Sequence, residues 1–334
     1  MVSPRLVLDL IERVGSAPHG ATVSVPLTGD DPDSLTETIT AWCLRSGNEL
    51  VEVRDNVASV RHGRGFDVLA DLAPDQVPGT RLWLYTNFDC NLACDYCCAR
   101  SSPSAPRRAL GLDVVRKLAA EAVGAGVTEL LLTGGEPFLL PDIDELVAAC
   151  TDALPTTLLT NGMLFTGRRL ERLRRMDRSR LCLQISLDSP TPDLHDSHRG
   201  PGSWARAVAG IRLARTEGFR IRVAATLQVG DIRDLEPFHA FLDSLDVARD
   251  DQVIRPIAHR GFADDGLELT LDSLIPEVTI TAEGVYWHPV SADHVDQLVT
   301  VNPFPLDQVI AEVKRRFVEQ RSRATSAVQW FPCA

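Results

Sequence analysis

From Arg81 onward the chain repeats one pattern, a short continuous apolar run followed by a longer segment with apolar residues every three or four positions. The runs RLWLYTNF, VTELLLTGG, TTLLTNG, RLCLQISLD, RIRVAATLQV and DQVIRPI alternate with GLDVVRKLAAEAVGAG, DIDELVAAC, RRLERLRRM, SWARAVAGIRLARTEG and DLEPFHAFLDSL. A strand that is apolar without alternation is covered on both faces, and helices between successive strands are what parallel pairing with right-handed crossovers requires. Six such strands predict an α/β fold, a partial (βα)6 TIM-like barrel over residues 81–257. Functional groups in such barrels collect at the C-terminal ends of the strands, so the residues just after each strand are the informative ones.

The flanks read differently. Residues 1–70 give helix, strand, helix, strand, strand, a small α+β domain, with Asp33 and Ser34 as N-caps of the second helix and Gly47 as its stop. The loop ADLAPDQVPGT follows as a linker. Residues 258–334 form a short C-terminal extension, with a hairpin PEVTITAEGVYWHP turning at Glu283-Gly284 and a helix PLDQVIAEVKRRFVEQ. No run approaches the ~18 apolar residues of a membrane helix. The N-terminus lacks the basic start and apolar centre of a signal peptide, so a cytoplasmic location without membrane contact is expected. A net charge of −12 argues against broad contact with phosphate backbones, and no nucleic-acid partner is expected.

Of the eight cysteines, Cys43, Cys150 and Cys182 sit singly in apolar periodic segments, where a thiol behaves as a small hydrophobe. Cys90, Cys94, Cys97 and Cys98 instead crowd into the loop after the first barrel strand. Three thiolates spaced CxxxCxxC can converge on one inorganic centre. Zinc would ask for a fourth protein ligand, and Cys98 is a poor one because its side chain should diverge from that of Cys97. A 4Fe-4S cluster on three cysteines keeps one iron open for chemistry.

With these residues the sequence resembles the radical S-adenosylmethionine (SAM) superfamily. Tyr96 stands where that family places an aromatic residue against the adenine. Thr133-Gly134-Gly135-Glu136-Pro137 looks like its GGEP motif, whose backbone and Glu hold the amino group of the methionine moiety. Thr160-Asn161-Gly162 and Ser186-Leu187-Asp188-Ser189 follow the third and fourth strands, where the family reaches the ribose or carboxylate of the cofactor. The resemblance implies a 4Fe-4S cluster on Cys90, Cys94 and Cys97 and a cofactor site of Tyr96, Gly134, Gly135, Glu136, Asn161, Ser186 and Asp188. It also implies reductive cleavage of SAM to a 5′-deoxyadenosyl radical that takes hydrogen from a substrate. No flavin or nicotinamide site is evident, so a ferredoxin or flavodoxin is the expected electron donor.

His195-Asp196-Ser197-His198-Arg199-Gly200 looks like the HDxxRG element of relatives with SPASM or twitch extensions, which often modify peptides or natural products. Read neutrally, Arg199 forms a salt bridge and the histidines face solvent. Read functionally, Arg199, Arg255 and His259 reach a substrate, with Arg260 nearby. After the barrel, Tyr286-Trp287-His288-Pro289 stands where relatives place a cysteine turn and Cys333 is the one later cysteine, so the extension reads as degenerate and without auxiliary clusters. Residues 1–70 are similar to the TusA-like fold, with Asp31-Pro32 as its acidic turn and Ser3-Pro4 where relatives carry a reactive cysteine. The leading expectation is a radical enzyme acting on a peptide or small metabolite in natural-product or cofactor biosynthesis. A radical dehydrogenase, epimerase or decarboxylase of a sugar or nucleoside is one alternative, and a non-catalytic metal-binding partner protein is another.

Overall fold

The computed structural model describes residues 4–18, 20–27, 32–63, 68–70, 72–233 and 235–330, so Ser3, Asp31 and Cys333 lie outside the described residues. The chain divides into two compact units, residues 1–73 with 316–334, and residues 74–315.

The first unit contains α1 (Pro4–Gly15), β1 (Thr22–Pro26), α2 (Pro32–Ser46), β2 (Glu49–Arg54) and β3 (Val57–Arg61), with an antiparallel sheet in the order β1-β3-β2. Asp55 and Asn56 close the β2–β3 hairpin with φ of 49° and 58°, the left-handed pair that matches strand twist and that short polar side chains tolerate. Pro32 opens α2 with its fixed φ, one residue ahead of the expected caps, and Gly47 ends it at φ 69°. Leu10, Val14, Val25, Ile39, Ala58 and Val60 are its core.

In the second unit the anticipated alternation is present: β4 (Arg81–Tyr85), α3 (Leu112–Gly124), β5 (Glu129–Thr133), α4 (Ile143–Ala153), β6 (Thr156–Thr160), α5 (Gly167–Arg175) and β7 (Leu181–Ser186). It continues through α6 (Pro192–Arg199), α7 (Ser203–Thr216), β8 (Arg220–Leu227), α8 (Glu236–Ser244) and β9 (Gln252–Pro256). Strands β4 to β9 pair in parallel and in chain order. Leu82, Leu84, Leu130, Leu132, Leu158 and Leu183 are completely buried, as strands covered on both faces require.

The extension joins this same sheet. β10 (Thr279–Thr281) pairs in parallel with β4, and β11 (Gly284–Tyr286) and β12 (Leu298–Thr300) add antiparallel strands, giving a nine-stranded sheet. The hairpin turns one residue earlier than expected, at Ala282-Glu283, because Thr281 pairs with Gly284. Gly284 is a strand residue here, since a Cβ on it would lie 2.9 Å from Val301 Cα where the next strand passes. α9 (Leu306–Trp330) closes the described chain. Among the described residues no helix is long and apolar enough to cross a membrane.

Candidate active site

The ends of β4 and β5 continue past the sheet as a paired extended segment. Gly135 N–H donates to Asn87 O at 2.9 Å and Glu136 N–H to Asp89 O at 3.0 Å, while Cys90 N–H donates to Ser102 O at 3.2 Å. A Cβ on Gly134 would lie 2.6 Å from Asn87 O and one on Gly135 2.7 Å from Phe88 O, so this approach needs two glycines. It hangs the cysteine loop over the ends of the central strands.

On that loop the Cys90 sulfur accepts from Leu92 N–H and the Cys97 sulfur from Ser101 N–H, both at 3.4 Å. Burial pushes the Cys90 thiol up to about 12 and Cys94 to about 11, the latter in spite of the Arg199 guanidinium. As bare thiols they therefore stay protonated near neutral pH, and a cationic centre is what would ionise them. Among the described residues no three or more His, Cys, Asp or Glu groups are gathered for a single metal ion. Three cysteines on one loop, with amide donors on two of the sulfurs, are a donor set that fits an iron-sulfur cluster. Cys98 is half-buried, and desolvation with the neighbouring Cys97 raises its thiol to about 12.

Glu136 is fully buried and turned inward. Its Oε1 accepts from Phe138 N–H (3.0 Å) and Thr160 Oγ1 (2.8 Å), and its Oε2 from Asn161 N–H (2.8 Å). This carboxylate, expected to meet a cofactor amine, carries these three bonds from the protein itself. Its oxygens are engaged in locking the end of β6 to the end of β5, and burial raises its pKa. Asn161 points the other way, its Nδ2 donating to Asn91 of the cysteine loop at 2.8 Å.

Asp188 is also a hub rather than an open ligand. Its Oδ2 accepts from Tyr96 OH (2.5 Å) and Arg199 Nε (2.6 Å), and its Oδ1 from Thr226 N–H (3.1 Å) and Arg199 Nη2 (3.2 Å). Burial alone would raise this carboxyl, but the Arg199 guanidinium holds it below the usual range. Arg199 thus forms the salt bridge of its neutral reading, a buried ion pair 5.4 Å from the Tyr96 ring. The other residues of its element are structural too. Asp196 caps α7, accepting from Trp204 N–H at 2.7 Å, and His195 is buried, not solvent-facing, with Nδ1 accepting from Asp188 N–H at 3.1 Å.

Residues 84–245 match the sequence model of the radical SAM superfamily. These residues form a radical SAM domain. It is 34% identical over 148 residues to an AdoMet-dependent heme synthase of Methanosarcina barkeri, covering 44% of this chain and 42% of that protein. It is also 34% identical over 140 residues to the antilisterial bacteriocin subtilosin biosynthesis protein AlbA of Bacillus subtilis, covering 41% and 31%. A PqqA peptide cyclase of Ruegeria pomeroyi is 34% identical over 149 residues, covering 44% and 39%. The chain thus spans less than half the length of each of these relatives. The crystal structure of Streptococcus suis SuiB bound to S-adenosylmethionine overlays 58% of this chain and 44% of that one with 21% identity and a TM-score of 0.48. Radical SAM enzymes hold a 4Fe-4S cluster and SAM, and need a reductant and a substrate.

The remaining expected residues of the radical SAM site divide. Ser186 ends β7, half-buried, on the side of the strand that Asp188 continues. Arg255 ends β9 with an exposed guanidinium, its Nε donating to Thr226 Oγ1 at 3.1 Å. His259 is exposed and its ring is paired with Glu268, which raises its pKa. Sequence reasoning missed Asn87, completely buried, whose Nδ2 bridges Asp89 O at 2.9 Å and Glu136 O at 3.1 Å. Its place two residues past β4 was the available signal.

Buried His195 and half-buried His288 of this domain give a pH expectation. Burial, with Arg199 beside His195 and with Arg81 and Arg255 beside His288, lowers each from 6.5 to about 4. The unfolded chain takes up protons the folded one refuses, so this stabilisation is present above pH 6.5 and lost as pH falls toward 4. The slope is at most about 1.4 kcal/mol per pH unit for each histidine. Urea unfolding at pH 7 and pH 5 measures it, and equal stability at both would remove the claim.

Proposed function

We propose that the chain is a radical SAM enzyme that reductively cleaves S-adenosylmethionine to a 5′-deoxyadenosyl radical and abstracts hydrogen from a peptide or small-metabolite substrate in natural-product or cofactor biosynthesis. The observation that carries this is the pairing of the three-cysteine loop with the Gly134-Gly135 strand over the ends of β5, β6 and β7. Cys90, Cys94 and Cys97 hold the cluster. Tyr96, Gly134, Gly135, Asn161 and Ser186 form the cofactor wall, and Glu136 and Asp188 fix that wall from behind. Arg255, exposed and with its Nε donating to the Thr226 hydroxyl, offers a guanidinium to a substrate carboxylate. A ferredoxin or flavodoxin supplies the electron, since no flavin or nicotinamide motif is found in the sequence. The substrate class draws support from relatives named for bacteriocin biosynthesis, peptide cyclisation and heme synthesis. The N-terminal residues 1–70 dock a substrate, a carrier or another subunit.

Anaerobic reconstitution with iron and sulfide, then reduction with dithionite in the presence of SAM, should yield 5′-deoxyadenosine by liquid chromatography. An iron-loaded, reduced sample that forms none would refute the reading.

A further inference from the structure

Cys97 is held from beyond the barrel as well as from within its own loop. Its carbonyl accepts from Arg100 N–H at 3.2 Å and from Phe262 N–H at 3.0 Å. Gly261, at φ +67°, sits so close to the loop that a Cβ would lie 2.6 Å from the Cys98 carbonyl. On the other flank Tyr85 OH donates to Pro289 O at 2.9 Å, and Ala292 packs with Tyr85, Phe88 and Ala99.

Arg100 itself is strained. Among the described non-glycine residues with positive φ, Asp55, Asn56 and Asp246 are types that tolerate the left-handed region, whereas Arg100, at φ 50°, is not. Such a conformation persists where surrounding contacts over-determine it. Here the contact is Asp293 Oδ2, 2.8 Å from Arg100 Nη1, on a side chain only 9% exposed whose Oδ1 is buried without a hydrogen-bond partner. A carboxylate buried with one bare oxygen is costly by itself, and the guanidinium opposite it is the compensating charge.

We propose that residues 261–262 and 289–293 clamp the Cys97 end of the cysteine loop, with Asp293 the positioning residue that keeps Arg100 left-handed and the third thiol in register. The clamp rests on the reading of Cys90, Cys94 and Cys97 as cluster ligands. It gives the extension, whose described residues contain no cysteine, a task in cluster retention.

The test uses the full reconstituted chain as wild type, Asp293→Asn, Arg100→Ala and Arg100→Gly. Four readouts are taken: iron content, the rate of iron transfer to ferrozine, the spectrum of the reduced cluster in electron paramagnetic resonance, and the thermal unfolding midpoint. Asp293→Asn and Arg100→Ala should release iron about tenfold faster, the ratio a charge-assisted hydrogen bond sustains, with an altered spectrum, while Arg100→Ala and Arg100→Gly should lose the same few degrees of midpoint because both leave Asp293 without its counter-charge. Arg100→Gly, free to adopt the left-handed backbone without the pair, should release iron close to the wild-type rate. The clamp is overturned if all variants release iron at the wild-type rate. It is equally overturned if Arg100→Gly releases iron as fast as Arg100→Ala, so that release follows the shared fall in midpoint and not the backbone. A wild-type chain that takes up no iron sinks the cluster reading itself and the clamp with it.

Discussion

Cys94→Ala should abolish 5′-deoxyadenosine formation, a loss on the order of a thousandfold or more, as when a group a reaction requires outright is removed. Two thiols cannot hold a cluster that three position, and no neighbouring side chain replaces the third. Cys98 is the nearest candidate in sequence, yet it follows Cys97 directly, and adjacent side chains diverge. Cys98→Ala should therefore keep its iron, whereas Cys90→Ala, Cys94→Ala and Cys97→Ala should each lose most of it. Cys150→Ala supplies the packing control, because that thiol is completely buried in α4, away from the loop. Iron assay and chromatography after reduction with SAM make the comparison. Undiminished iron in Cys94→Ala, or its loss in Cys98→Ala, would move the third ligand to another residue.

What could be read from the sequence was whatever is local or periodic. Uninterrupted apolar runs alternating with helical segments gave the parallel sheet, and the spacing of three cysteines gave the loop's chemistry. The glycine pair was legible because close backbone approach has no substitute for glycine. The protein contacts of Glu136 and Asp188 were not legible. A carboxylate at a strand end looks alike whether it faces a cofactor or a buried partner, and the deciding contacts, Thr160 for one and Arg199 with Tyr96 for the other, come from distant segments. Gly261 and Asp293 carry no local signature either, since they matter through a loop more than 150 positions away. The hairpin turn slipped by one residue because Glu283-Gly284 resembles a turn signal, while Gly284 is demanded by the passing β12 strand.

The largest stability effect belongs to the buried pair, where Arg199→Leu should destabilise the folded chain by about 3 to 5 kcal/mol at pH 7. For a unit of this size that is roughly a 10 °C fall in midpoint. The cause is specific. In the wild type the guanidinium outweighs burial and keeps Asp188 below the usual carboxylate range, so its stabilisation is present above that range and lost as pH falls through the folded pKa. Without Arg199, burial is opposed by the Tyr96 hydroxyl and Thr226 N–H with no full positive charge beside them, and the carboxyl shifts upward. The charged form is then penalised at neutral pH, and the penalty relaxes as acid protonates it. The stability gap between wild type and Arg199→Leu should accordingly be widest near pH 7 and narrow toward pH 5, where lost packing alone would leave a constant gap. Adding Asp188→Asn to Arg199→Leu should recover most of the loss, because no uncompensated charge remains buried. Since Tyr96 OH also ends on Asp188, Arg199→Leu should weaken SAM binding to the loaded enzyme as well, and a variant with intact SAM affinity would separate the pair from the cofactor wall.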